Sequence, residues 1–559
     1  MRKIISTILL TGITVASAAQ TTQDALKFSE NNYYGTARTI AMGNAFTALG
    51  GDLGSVGINP AGSAINNYSQ FTITSNVSIA ATSSWYDAMP GTTEGGFGSP
   101  YRNSSTKFTL PNIGFILNYK TGRNYGLKNV SFGFVANATS NYLDNTAAGG
   151  TNTSTTIAGS MAAAMSGAIP DGPKAIPYSG LNSDLAYNSY DWLYVTGYKS
   201  GMVAAYGSGD TDYIGVTEKQ FSDGSIRLAD AIGQNYGRQA RGYKYDMVFN
   251  FGLNFSDQFY FGANLGITST DYSMNQYFKE TALNPGEFSI QFEDGSGSTR
   301  DAYFKSLRYR YAYDASAVGV YAKVGFIAAP GNGFRFGAAI QTPTATLIKE
   351  HYQHAGDTDF SNSSFDTSVQ SPRGEYEYRL RSPYRVNAGV AYTFGSFGLV
   401  SADYELCDYG TMKFSESETN DNSAFSSVNS KIRDYCGTAH QVRIGAEIKP
   451  VPSLAIRAGY NLTTSAGRYY DDNGAKVAPK SYRNSFAAGL GYNSGKSFYA
   501  DLSVRNTVYP YEYIYPYVDY IYDVYKDNDG KDHYVWTYTP EIRNRLKLWD
   551  VTLTLGFRF

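Results

Sequence analysis

The sequence predicts an all-β fold: a transmembrane antiparallel β-barrel of about fourteen strands with an N-terminal plug inside its lumen. Three observations predict it. Hydrophobic residues recur with a period of two along most of the chain, short and long connections alternate, and the last strand ends on the aromatic Phe559.

The chain opens with Arg2 and Lys3, an apolar run from Ile4 to Val15, and small residues at Ala16, Ser17, Ala18 and Ala19. This is the three-part pattern of a cleavable secretory signal over residues 1–19, cut after Ala19 or after Ala18. The run is too short to cross a bilayer as a helix, and no cysteine stands at the junction to carry a lipid. No later stretch is long and apolar enough for a spanning helix. Mean hydropathy is -0.33, yet a barrel shows only alternate residues to lipid, so this value does not oppose a membrane protein. With 50 Tyr, 31 Phe and 58 Gly against 17 % charged residues, the composition suits strands and aromatic girdles. The net charge of -2 becomes -4 once Arg2 and Lys3 leave with the signal, and nothing in it suggests nucleic acid as a partner.

Alternation is clearest near 243–255. Tyr243, Tyr245, Met247, Phe249, Phe251, Leu253 and Phe255 suit lipid, whereas the alternate set Lys244, Asp246, Val248, Asn250, Gly252 and Asn254 suits a wet lumen. At 108–119, Ile113, Phe115, Leu117 and Tyr119 oppose Asn112, Gly114 and Asn118. At 496–508, Phe498, Ala500, Leu502 and Val504 oppose Tyr499, Asp501, Ser503 and Arg505. Such segments place strands near 69–82, 106–120, 129–143, 243–256, 258–274, 306–329, 333–349, 378–395, 397–414, 437–450, 453–463, 482–494, 496–508 and 546–559. Connections after even strands are short, such as Ala329-Pro330-Gly331-Asn332 and Val451-Pro452. Those after odd strands are long, the longest being an insertion at about 144–242. Periplasmic turns and outer loops alternate in this way in outer-membrane barrels. The final strand carries Trp549, Val551, Leu553, Leu555, Phe557 and Phe559 on one face. That pattern resembles the signal read by the barrel assembly machinery.

Residues 20–66 do not alternate, so the barrel is placed at 67–559 and the preceding segment is read as a hatch. Ala37 to Leu49 reads as a short helix, broken by Gly50-Gly51-Asp52, with a turn at Gly57 to Gly62. The many small residues favour a compact plug in the lumen over a periplasmic tail. The stretch ARTIAMGNAFTALGGDLGSVGINPAG resembles the N-terminal hatch of the FadL/TodX family, whose Asn-Pro-Ala turn falls here on Asn59, Pro60 and Ala61. LPNIGFILNY at 110–119, FGAAIQTPT at 336–344 and VRIGAEIKPVPSLAIRAGY at 442–460 extend the likeness along the barrel. The resemblance implies an outer-membrane channel for passive uptake of hydrophobic compounds such as long-chain fatty acids. Its partners would be a hydrophobic small molecule and outer-membrane lipids. A PorV-like barrel that binds secretion-system proteins is the rival reading. The long insertion after the third strand departs from the family, whose helical capture loops lie later.

Candidate gate residues are Asn59, Pro60, Ala61 and Gly62: proline fixes φ and lacks an N–H, and Asn caps its own turn. The plainer reading is a turn that only starts the first strand. Candidate ligand-binding residues are Ile157, Met161, Met165, Trp192 and Leu193 in the insertion, because flexible Met and aromatic surfaces adapt to apolar ligands. A lid that only packs on the barrel mouth would need the same residues. Arg385 and Arg443 belong to an inward set with Arg335, Arg457, Arg483, Arg505 and Arg558. Such a set would receive a carboxylate or form ion pairs with Asp246, Asp403, Glu447, Asp501 and Asp550. Ten Tyr and Trp536 between Tyr509 and Tyr538 suit the head-group region as well as a ligand. Cys407 and Cys436 fall on opposite phases of their strands, which disfavours a bridge. His351, His354 and Glu350 make a poor metal set, and Asp527-Asn528-Asp529-Gly530 lacks calcium-loop spacing. No G-x-S-x-G or H-E-x-x-H occurs, so no enzyme is read here.

Overall fold

The computed structural model describes residues 21–90, 96–169, 172–293, 299–471, 473–495, 497–526 and 532–559. The signal segment 1–19 and the acidic turn at 527–530 lie outside the described residues. The chain forms a closed antiparallel barrel of 14 strands. They are β1 Gln70–Asp87, β2 Tyr101–Lys120, β3 Leu127–Asn141, β4 Ile232–Phe255 and β5 Phe259–Ala282. Then come β6 Thr299–Gly331, β7 Phe334–Gln341 with Ala345–Phe360, and β8 Gly374–Arg381 with Arg385–Phe394. The rest are β9 Gly398–Asp408, β10 Thr438–Val451, β11 Leu454–Thr464, β12 Tyr482–Asn493, β13 Phe498–Ile514 and β14 Glu541–Arg558. β14 closes on β1 from Gln70↔Arg558 to Asp87↔Glu541. The Phe559 N–H donates to Ser69 O at 3.0 Å and the Ser69 N–H to Phe559 O at 3.1 Å, so pairing runs to the last residue. Closure leaves no unpaired edge at the β14–β1 seam, where lipid would not tolerate one.

The period-two pattern sorts side chains as lipid requires. Phe249 is 51 % exposed and Leu265 57 %, whereas Val248 and Asn250 are buried. β4, β5 and β6 run further than the alternation indicated, starting or ending at Ile232, Ala282 and Thr299. These extensions carry residues such as Gln239 and Lys279, so the lipid signature stops before the ladder does. The insertion is correspondingly shorter than 144–242. Asp144–Asn152 is a strand paired to the upper part of β4.

Two irregularities interrupt the wall. β7, β8 and β9 break at one level, at residues 342–344, 382–384 and 409–412, where Pro343 and Pro383 offer no ladder N–H. Behind the break lies an apolar cluster that includes Tyr378, Phe414, Cys407 and Cys436, both cysteines being free and buried. The second irregularity is a gap. β2 pairs with β3 only from Lys120↔Asn129 to Asn112↔Asn137, although it continues to Tyr101 beside β1. Pro111, which cannot donate, stands next to the last paired residue. Beyond it the chain after β3 turns into the lumen: Asn145 O accepts from the buried Thr82 of β1, and Thr146 Oγ1 from Asn544 of β14 at 3.0 Å.

Residues 21–66 fill the lumen. Helix α1 spans Thr22–Ser29, with Thr21 and Asp24 forming a capping box, and α2 spans only Ala37–Ala41. The helix expected to Leu49 stops early because Gly43 and Asn44 take φ of 62° and 63°. Between α1 and α2, the Asn32 and Tyr34 N–H groups donate to Thr139 and Ala138 carbonyls of β3, at 2.6 and 2.9 Å. The arm thus satisfies β3 just where β2 has left it.

The plug touches the wall at its backbone. A Cβ on Gly325 would stand 1.9 Å from Asn59 Oδ1, on Gly262 2.3 Å from Pro60 C, and on Gly337 2.0 Å from Thr47 O. Gly445 and Gly459 meet Met42 and Gly43 as closely, at 2.4 and 2.1 Å. Gly252, Gly262 and Gly325 are direct cross-strand neighbours, as are Gly337 and Gly389, and Gly445 and Gly459. These residues form a girdle in which missing side chains leave room for the plug.

Candidate functional site: the cavity beneath the long loops

The plug divides the lumen. At the short-turn end a polar cavity of about 340 Å³ is lined by Arg38, Arg335, Glu447, Arg457, Asp501 and Arg558 among others. At the long-loop end, above the plug, a larger cavity of about 570 Å³ has mostly apolar, aromatic walls. Its sides are Tyr272, Tyr311, Tyr313, Tyr352, His354 and Tyr509, its floor is α1, and Asp191 and Trp192 enter from the insertion. Residues Ser140 to Asp144, where the chain leaves the end of β3, line it too. The cavity therefore borders the segment that turns inward beside the wall gap. Across that gap no backbone ladder runs. Asn145 Nδ2 reaches Ser104 O at 3.4 Å, and Lys107 Nζ lies 4.4 Å from the Tyr243 ring centre.

The roof comes from the insertion. Helix α3, Ile157–Met165, is capped by Thr156, whose side chain accepts the Gly159 N–H. Ile157, Met161, Met165 and Leu193 are buried in one apolar cluster with Phe278, Phe304 and Tyr309 of the barrel mouth. None of these four lines the cavity; Trp192 does. Helix Trp192–Lys199 is capped by Asp191, and the Trp192 Nε1–H donates to Tyr187 O at 2.7 Å, which fixes the indole over the cavity. Within this roof Glu218 accepts the Gly215 N–H at 2.8 Å, and burial pushes its carboxyl up to about 7 despite that bond.

Arg385 and Arg443 lie below, beside the plug. Arg385 Nη1 donates to Glu405 Oε1 at 2.9 Å and its Nη2 to Ser29 O, while Arg443 faces Glu405 at 3.3 Å and Asp403 at 4.0 Å. Arg457 pairs with Glu447 and Asp501, Arg505 with Asp550, and Arg483 with Glu30 of the plug. Arg335 donates to Leu49 O, and Arg558 stacks on Tyr68 and Tyr499. Among the described residues no arginine pairs with Asp246; Thr268 and Tyr321 hydroxyls donate to it. His354 Nδ1 meets the Tyr309 hydroxyl at 2.7 Å, and His351 faces Glu375 at 3.6 Å.

The gate residues are held from both sides. Asn59 Nδ2 donates to Thr47 O at 2.6 Å and to Phe326 O of β6 at 3.1 Å, while its Oδ1 caps the Ala61 N–H. Asn250 Nδ2 donates to Pro60 O at 3.1 Å, and Lys323 Nζ to Gly57 O at 2.8 Å. Arg38 of α2 pairs with Glu447 at 2.9 Å. Pro60, Ala61 and Gly62 are fully buried. Sequence alternation missed the cavity's Tyr272, Tyr311, Tyr313 and Tyr352. Their lumenal phase was readable, but which strands face one another across the lumen was not.

No family model matches the chain, and no curated protein matches it. Solved structures do. The P. putida toluene transporter TodX is 12% identical, with 94% of this chain and 98% of that chain covered and a TM-score of 0.47. A Pseudomonas aeruginosa FadL homologue is 12% identical, with 95% and 99% covered and a TM-score of 0.49. The Ralstonia pickettii toluene transporter TbuX is 12% identical, with 94% and 98% covered and a TM-score of 0.41. The chain is thus similar to solved structures that bear the names of the FadL/TodX family, the one its hatch sequence resembles.

Proposed function

We propose that this protein is an outer-membrane channel for passive uptake of hydrophobic compounds, long-chain fatty acids among the candidates. The observation that carries the reading is an aromatic cavity bordered by Ser140 to Asp144, the segment that turns inward beside the gap between β2 and β3. A compound entering among the long loops would reach the side of the wall gap while α1 still floors the cavity beneath it. The plug below is fastened to wall carbonyls and side chains from several strands, so it acts as a floor that keeps the lumen shut to water. The turn at Asn59, Pro60, Ala61 and Gly62 is part of that floor. Hydrophobic cargo gains by leaving sideways, because its transfer into lipid never exposes it to the polar short-turn cavity.

The test is a tether across the gap. Lys107→Cys with Tyr243→Cys, joined by a short cleavable bis-maleimide, should cut uptake of a hydrophobic probe into proteoliposomes several-fold. Cleaving the tether should restore it. The buried Cys407 and Cys436 make the wild type a suitable linker control. Full uptake by the tethered protein sinks the sideways route. Wild-type uptake no greater than that of an unrelated closed barrel sinks the channel reading itself.

A further inference from the structure

The cavity beneath the long loops has a charge pattern that a fatty acid would not suit. Its three cations are already engaged: Lys27 with Asp24 at 3.0 Å, Arg483 with Glu30 at 3.2 Å, and Arg238 with both Asp144 and Glu512 at 2.8 and 2.6 Å. Asp191 is left over. Its Oδ1 accepts the Leu193 N–H at 3.0 Å, and among the described residues no cation pairs with it. A carboxylate placed here would add to an acidic excess beside partly buried aromatic walls, where like charges cost more than in bulk water.

Beside Asp191 stands a set of aromatic faces. The Trp192 ring centre is 5.0 Å from that of Tyr352 and 6.0 Å from that of His354, and Tyr311 is 4.9 Å from His354. The opposite side of the same cavity already holds a cation in such surroundings. Lys27 Nζ lies 4.4 Å from the Tyr272 centre and 5.7 Å from that of Tyr313, with Asp24 as its counter-ion. Aromatic faces with one carboxylate attract an ammonium group, and most strongly where water is excluded. Building on the channel reading, we infer that this cavity binds amphiphiles with an amine or quaternary ammonium head, seated on Trp192 and Tyr352 beside Asp191. The alkyl part lies along Tyr311 and Met274 toward the wall gap.

The experiment uses the full chain in amphipol and native mass spectrometry. Three probes share one chain length: tetradecyltrimethylammonium, myristate and tetradecanol. The ammonium should exceed myristate among bound species by on the order of ten-fold at equal concentration. Asp191→Asn should bring that ratio close to one. Asn caps a helix as well as Asp does, so the roof stays folded. Trp192→Leu should lower ammonium binding in the same direction. Myristate bound as well as the ammonium, or an unchanged preference in Asp191→Asn, overturns the inference while leaving the channel reading standing. Failure of all three probes to bind, the alcohol included, overturns both.

Discussion

The two halves of the lumen solve opposite problems with the same strands. Toward the short turns, residues 36–64 meet the wall at glycine backbones and hand their N–H and carbonyl groups to inward side chains. Toward the long loops, the same strands carry Tyr272, Tyr311, Tyr313 and Tyr352, and these rings leave a cavity of about 570 Å³. Close packing in the first region leaves nothing that can yield by small steps, since interiors packed to crystal density transmit strain. The second keeps space and polarisable surface. On the proposed channel reading, movement of cargo belongs to the aromatic half, and sealing to the glycine half.

The largest expected effect comes from filling the girdle. Gly325→Val puts side-chain atoms where Asn59 Oδ1 already stands, and overpacking of that kind costs about 1–3 kcal/mol or more. The variant should lose most of its heat-modifiable folded band on SDS gels. Gly98→Ala, with nothing within 4 Å of the new Cβ, should behave as wild type. A normal folded yield for Gly325→Val would show that plug and wall are not packed as described.

A smaller effect is expected from Asn59→Ala with Pro60→Ala. The turn loses its cap and its fixed φ, worth about 1–2 kcal/mol together, while the ladder of the wall is untouched. Leak of a water-soluble dye should rise, with hydrophobic uptake near the wild-type level. If hydrophobic uptake falls instead, cargo passes through the plug and the division of labour is wrong.

The smallest effect concerns the roof. Because the Glu218 carboxyl is raised to about 7 in the fold, its contribution is fully present below its unfolded value near 4.5. It is lost as pH climbs toward 7, since the buried form prefers the proton. Amide exchange across Tyr213–Gly215 and Glu218–Gln220 should quicken between pH 5 and 8 by a few-fold (about 1 kcal/mol or less). Glu218→Gln should remove the dependence. An equally steep dependence in that variant would assign it to another group.

Much of this architecture was legible before any coordinates. The lipid-facing rows of β4 and β14, the count of strands and the non-alternating start all follow from periodicity, which local sequence carries directly. The helix expected from Ala37 to Leu49 shows the limit. Its apolar spacing was real, but Gly43 and Asn44 take left-handed backbone so that the chain can pass Gly445 and Gly459. The inward glycines were visible as lumenal positions, yet their alignment into a girdle depends on register between strands far apart in sequence. The β2–β3 gap was hidden for the same reason, because a strand that loses its neighbour keeps its own alternation. Trp192 was singled out as a ligand residue and lines the cavity, while Met161 and Met165, chosen by the same logic, pack into the roof. Composition cannot tell these two fates apart.

The glycine girdle also constrains the order of events when the protein is made. Residues 41–63 find their seats on strands that lie roughly 190 to 450 positions later in the chain, so these contacts are among the most non-local in the molecule and form late. In the closed barrel the wall fits the seated segment at van der Waals distance. A plug already lying on the open sheet would reach these seats without having to enter a closed wall. Ala37, whose N–H donates to Thr554 of β14 at 2.7 Å, gives that strand a partner inside the lumen as well as in the wall. The segment that fills the finished lumen would then double as the mandrel on which the barrel is shut.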